Sequence, residues 1–129
     1  NKNIIVEITG DDSCLVYGYE SEFQQVIINI INNAKDELVS RKIDNGKIII
    51  HIFYEMNFTV FKITDNAGGI PDDVIDRVFE PYYTTKEQGK GTGLGLYMSK
   101  TIVENNMGGH ISVENINGGA VFTIAFINK

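Results

Sequence analysis

The chain predicts an α+β fold, with a mixed, mostly antiparallel sheet of about five strands covered on one face by about three helices. Three observations carry this. Strand-like and helix-like stretches are grouped rather than strictly alternating. Two pairs of strand-like runs are separated by turns short enough for hairpins, one central and one C-terminal. A long apolar stripe of period near 3.6 lies between the first strand region and the central hairpin. A chain of 129 residues supports one core, so residues 1–129 are expected to form a single domain.

The elements come in order. NIIVEIT and CLVYGY read as short strands around a turn at Gly10, Asp11 and Asp12. From Ser21, a candidate N-cap, Phe23, Val26, Ile27, Ile30, Ile31, Ala34 and Leu38 keep the i, i+3, i+4, i+7 spacing of a helix running to about Lys42. Asp44, Asn45 and Gly46 break it. KIIIHIFY and FTVFKIT flank a turn at Glu55, Met56 and Asn57 and are rich in the β-branched and aromatic residues that suit a hairpin. DNAGGIP is a loop; Pro71 suits the first turn of a short helix, with Asp72 and Asp73 at its positive end. Pro81 terminates the segment after Phe79. A second long helix is expected from near Gly93 to just before Gly108, and HISVEN and AVFTIAFI form the last strands across Asn117, Gly118 and Gly119.

Composition narrows the function. Hydrophobic residues at 43% and charged residues at 22% are ordinary for a globular chain and exclude a disordered or collagen-like one. Eleven basic against 17 acidic residues leave a net charge of −6, the wrong sign for binding nucleic acid or anionic lipid, and neither partner is expected. The single cysteine, Cys14, excludes an internal disulfide and reads as a small buried hydrophobe in a reducing, cytoplasmic setting. Ten of the 13 glycines lie between Gly68 and Gly119, so the second half needs backbone that only glycine supplies.

Three features could carry chemistry. KGTGLGL fits neither G-x-x-x-x-G-K-[ST] nor G-x-G-x-x-G. It runs into a helical pattern, and so reads either as a surface linker or as an anion site at free backbone N–H groups. Asn29 and Asn33 share one stripe of the first long helix, either as solvated side chains or as amide oxygens suited to a hard cation such as Mg²⁺. Asp65 falls on the same strand face as Phe61 and Ile63. It is either a turn-capping carboxylate or an acceptor for a donor such as the exocyclic amine of adenine, with Gly68 and Gly69 leaving room for a flat base.

In order, QVIINIINNAKDEL, ITDNAGGIP, VFEPYYTTK and GKGTGLGLYMSKTIVENNMGGHISVEN closely resemble the N, G1, F and G2 boxes of sensor histidine kinase catalytic domains. These are members of the GHKL superfamily with the Bergerat fold, a two-layer α/β sandwich. The resemblance spans roughly residues 20 to 127. It implies an ATP-dependent protein histidine kinase that passes the γ-phosphoryl group to a histidine in two-component signalling. By resemblance, Asn33 would bind Mg²⁺, with Asn29 near the phosphates as its catalytic companion. Asp65 would take the adenine amine, with Gly69 beside it. Gly91, Thr92, Gly93, Leu94 and Gly95 would surround the triphosphate, Phe79 would anchor the near end of a lid, and Lys86 and Lys90 would add positive charge against the acidic total.

The sequence departs from the family at three places. Asp36 stands where many relatives have Lys or Arg, Glu37 where Tyr often lies along the base, and Ala67 where Gly is common. Topoisomerase-type and Hsp90-type relatives resemble one another in carrying a water-activating Glu at the place of Asn29. An amide cannot act as a general base, so transfer is expected to be favoured over hydrolysis. His51 and His110 lack the helical His-Glu setting of the family's phosphoacceptor and are expected to be structural. The resemblance therefore implies a histidine-bearing dimerisation domain as partner, lying before residue 1, a response regulator reached through it, and a monomeric fragment that does not autophosphorylate alone. The alternatives are another GHKL-type ATPase or serine kinase, and a degenerate interaction domain.

Overall fold

A computed structural model describes residues 4–10, 20–83 and 93–127. Its elements are β1 (Ile5–Gly10), α1 (Glu20–Ser40), β2 (Lys47–Glu55), β3 (Phe58–Asp65), α2 (Asp72–Ile75), α3 (Gly95–Thr101, continued by a π-helical turn over Ile102–Asn106), β4 (His110–Ile116) and β5 (Gly119–Ile127). The five strands form one sheet in the order β1-β2-β3-β5-β4. β1 and β2 are parallel because α1 connects them, whereas β2–β3, β3–β5 and β4–β5 are antiparallel. The expected mixed sheet with helices is therefore present. The CLVYGY run and Cys14 lie outside the described residues.

The register places the core. Ile50 faces Ile63, Ile63 faces Phe122, and Phe122 faces Val113, so these side chains share one face. Val26, Ile30, Ala34 and Leu38 from α1, with Ile102 and Val103 from the turn after α3, bury that face. Phe23 packs edge-on to Phe61 and Phe126 at centroid distances of 5.0 and 5.6 Å.

Three boundaries differ from the sequence expectation, each for a local reason. α1 already includes Glu20, so Ser21 is inside the helix rather than capping it. The helix ends in a Schellman motif: the Ile43 N–H donates to Leu38 O (3.0 Å) and the Lys42 N–H to Val39 O (3.1 Å), with Lys42 at φ +55°. α3 starts at Gly95 rather than near Gly93, because Gly93 at φ +73° is not helical. The final hairpin turns on Asn117 and Gly118, both at positive φ, while Gly119 pairs with Ile116 inside the ladder.

Candidate functional site

A cavity of about 630 Å³ opens between α1, the loop after β3, α2 and the start of α3, a volume in the range of small-molecule sites. One stripe of α1 forms its wall: Asn29, Asn33 and Glu37 recur at four-residue steps, and Arg41, just past the helix end, continues the series; all four line the cavity. Asp65, Ala67, Gly69 and Ile70 form a second wall and Gly93, Gly95 and Leu96 a third, with Ala120 and Phe122 as an apolar floor.

Asp65 is held by the sheet itself. The β3–β5 pairing ends at Thr64 and Val121, and the Ala120 N–H just beyond donates to Asp65 Oδ1 at 3.3 Å. The Ala67 N–H donates to the same oxygen at 3.0 Å. Oδ2 makes no hydrogen bond among the described residues. Gly119 makes this approach possible, since a Cβ there would stand 1.7 Å from Asp65 O.

The loop after Asp65 is clamped on three sides. Asn66 accepts the Lys47 N–H at 2.8 Å and donates to Asn45 O at 3.1 Å. Asn115 of β4 accepts the Ile70 N–H at 2.8 Å and donates to Ile70 O at 2.7 Å. Arg41 Nη1 donates to Ala67 O at 2.8 Å. Gly68 and Gly69 adopt φ of +105° and +87° between these clamps, which explains two of the clustered glycines. Arg41 lies outside the four boxes and Asn115 is the last residue of the G2-like run; sequence reasoning assigned neither of them a role.

At the other end of the cavity, half-buried Asn29 has a structural bond set. Its Nδ2 lies 3.3 Å from both Gly95 O and Ser99 Oγ, while its Oδ1 accepts from Gln25 at 2.9 Å. The side chain thereby ties α1 to the first turn of α3. Asn33, one turn later, lines the cavity and is half-buried.

Gly93 joins the ends of the segment between residues 83 and 93. Its carbonyl accepts the Tyr82 N–H at 2.8 Å, and a Cβ on it would lie 2.3 Å from the Tyr82 carbonyl carbon. Tyr83 lines the cavity, and its ring lies under the Arg77 guanidinium at 4.3 Å. Phe79 and Leu94 do not line the cavity. Phe79 stands behind it, edge-on to Phe122 at 6.2 Å and 5.3 Å from Lys100 Nζ. Lys86, Lys90, Gly91 and Thr92 lie outside the described residues.

His51 stacks on Phe53 at 5.0 Å with Nδ1 2.8 Å from Thr9 Oγ1, and His110 Nδ1 lies 3.2 Å from Glu104 Oε2. Neither histidine lines the cavity. Among the described residues, no group of three or more His, Cys, Asp or Glu could hold a metal ion. No helix among them is long and apolar enough to cross a membrane.

A helix stripe of amides, a strand-end carboxylate beside two glycines at positive φ and a glycine turn entering a helix thus meet at one cavity of an α+β domain. The chain belongs to the family described as histidine kinase-, DNA gyrase B-, and HSP90-like ATPases, which matches residues 18–128. It is 38% identical over 116 residues to the two-component sensor PprA of Pseudomonas aeruginosa, covering 85% of this chain and 12% of that protein. Sporulation kinase A of Bacillus subtilis is 36% identical, with 92% of this chain and 18% of the relative covered. The chain thus spans less than a fifth of these curated relatives. The catalytic domain of the histidine kinase ThkA superposes with a TM-score of 0.80 at 31% identity, covering 97% of this chain and 79% of that domain. A second structure, of ThkA in complex with the response regulator TrrA, gives a TM-score of 0.77 at 26% identity, with 98% of this chain and 34% of that chain covered.

Proposed function

We propose that this chain is the ATP-binding catalytic domain of a sensor histidine kinase and that it presents the γ-phosphoryl group of Mg-ATP to a histidine on a separate domain. The observation that carries this is the amide of Asn29 at the α3 end of the cavity, with both amide donors engaged by α3. The cavity's acidic side chains are Glu37 and Asp65, and each already serves another group there: Glu37 pairs with Arg41, and Asp65 holds backbone N–H groups. Among the described residues no carboxylate takes the place of the water-activating Glu of the gyrase-like and Hsp90-like relatives, which favours transfer over hydrolysis.

The residues divide the work. Asp65 Oδ2 accepts the adenine amine, a charged hydrogen bond worth about 1.5–3 kcal/mol. Gly93 and Gly95 bring backbone close to the phosphates, and the N-terminal turn of α3 offers unpaired N–H groups there. The donor set fits Mg²⁺, which binds through one or two protein oxygens plus phosphates and water; Asn33 would supply the protein oxygen, and the ion would neutralise triphosphate charge. Catalysis is then positioning and charge compensation. The partners are the histidine-bearing dimerisation domain and, through it, a response regulator.

Mixing the protein with its histidine-bearing helical hairpin and γ-labelled ATP tests this. Acid-labile phosphate on the hairpin is the expected product. Steady hydrolysis without transfer would support a GHKL-type ATPase instead, and label on serine a serine kinase.

A further inference from the structure

The base end of the cavity contains a cation that none of the four boxes explains. Arg41 follows the last residue of α1, inside the Schellman motif that fixes the chain direction there. Its Nε lies 3.0 Å from Glu37 Oε2 and its Nη1 donates to Ala67 O at 2.8 Å. A guanidinium is planar, so anchors at two different nitrogens fix the orientation of its plane as well as its position. Arg41, Glu37, Asp65 and Gly69 all line the same cavity.

Position and charge decide what this group does. Arg41 is eight residues beyond Asn33, a separation of about 12 Å at the helical rise, and it bonds to the loop that follows Asp65. It therefore lies with the adenine acceptor and away from Asn29 and Asn33. Its charge is also largely matched by Glu37, which leaves a weak attractor for phosphate but an intact flat face. Guanidinium faces stack on π-systems.

Given the nucleotide reading above, we propose that Arg41 supplies the stacking face for the purine ring. Glu37, standing where Tyr often lies along the base, has become the anchor that holds the replacement in place. Arg41 acts here as a binding residue for the base and not for the phosphates.

Calorimetric titration of the whole chain with adenosine, ADP and Mg-ATP tests this in wild type, Arg41→Ala, Arg41→Lys and the double variant Glu37→Tyr/Arg41→Ala. Loss of one guanidinium–purine stacking contact weakens binding by about fivefold to tenfold, and the same factor is expected for all three ligands in Arg41→Ala. Arg41→Lys keeps a donor for Ala67 O and the charge but loses the plane, so it should be equally impaired. The double variant should recover most of the loss. A deficit that grows from adenosine to ADP to ATP, recovery in Arg41→Lys, or unchanged adenosine affinity in Arg41→Ala would each overturn the proposal. If Arg41→Ala does not fold, Arg41→Lys decides by the same criteria. Failure of wild type to bind any of the three would overturn the nucleotide reading itself.

Discussion

Asn115 shows how much of the site depends on a residue to which the motifs assign no role. Its amide closes a two-point clamp on Ile70, with bonds of 2.8 and 2.7 Å, and its Oδ1 lies 3.0 Å from where a Cβ on Gly69 would stand. Asn115→Ala frees one donor and one acceptor at a solvent-accessible position, so water takes over part of the bonding and the stability loss should stay near 1 kcal/mol. The binding loss should be larger in proportion, because Gly69 and Ile70 are no longer held at the cavity wall. We expect ATP affinity to fall by about threefold to tenfold, the cost of ordering a few residues on binding, with a melting temperature only a few degrees lower. Equal ATP affinity in wild type and variant would show that the clamp is ornamental.

At the scale of elements, the glycines of GLGL and the end of α1 make the sharper cases. Gly93 and Gly95 are indistinguishable in sequence, yet one is a left-handed turn jammed against the Tyr82 backbone and the other begins a helix with, among the described residues, only Asn29 Cγ nearby at 3.9 Å. Gly93→Ala therefore combines about 1–2 kcal/mol of left-handed strain with a steric overlap, and should open the Tyr82–Gly93 junction. Gly95→Ala has room and a favourable helical backbone, worth up to about 1 kcal/mol. Thermal unfolding of the two variants should move in opposite directions. Lys42, at φ +55° in the Schellman motif, gives the converse: Lys42→Gly removes strain and should raise stability by roughly 0.5–1 kcal/mol in denaturant titration.

The same contrast explains what the sequence could and could not reveal. Periodicity located α1, both hairpins and the core face, because a buried stripe must repeat with the element's own period. Of the residues singled out in the boxes, Asn29, Asn33, Asp65, Gly69, Gly93 and Gly95 line one cavity. Phe79 and Leu94 carry motif positions without reaching the wall. Arg41 and Asn115 hold the loop after Asp65 through contacts across 26 and 45 residues, and no local pattern records such a distance.

For the whole molecule, folding and binding are coupled through one cavity whose walls come from α1, the loop after β3 and α3. The α1–α3 tie through Asn29 and the loop clamps through Asn66, Asn115 and Arg41 all belong to the folded state alone. A ligand bridging these walls must therefore stabilise the fold by mass action. At a free ligand concentration of 100 times Kd the gain is about 2.7 kcal/mol, which for a domain of this size raises the melting temperature by roughly 10 °C. Asp65→Asn leaves an amide Oδ1 able to accept the Ala67 and Ala120 N–H groups but replaces the second acceptor oxygen with a donor that opposes the adenine amine. Its ligand-free melting temperature should stay within a few degrees of wild type while the Mg-ATP shift at the same concentration disappears. Retention of the full shift in Asp65→Asn would place the base elsewhere in the cavity, and a collapse of the ligand-free fold would instead make the carboxylate chiefly a bracket between β3 and β5.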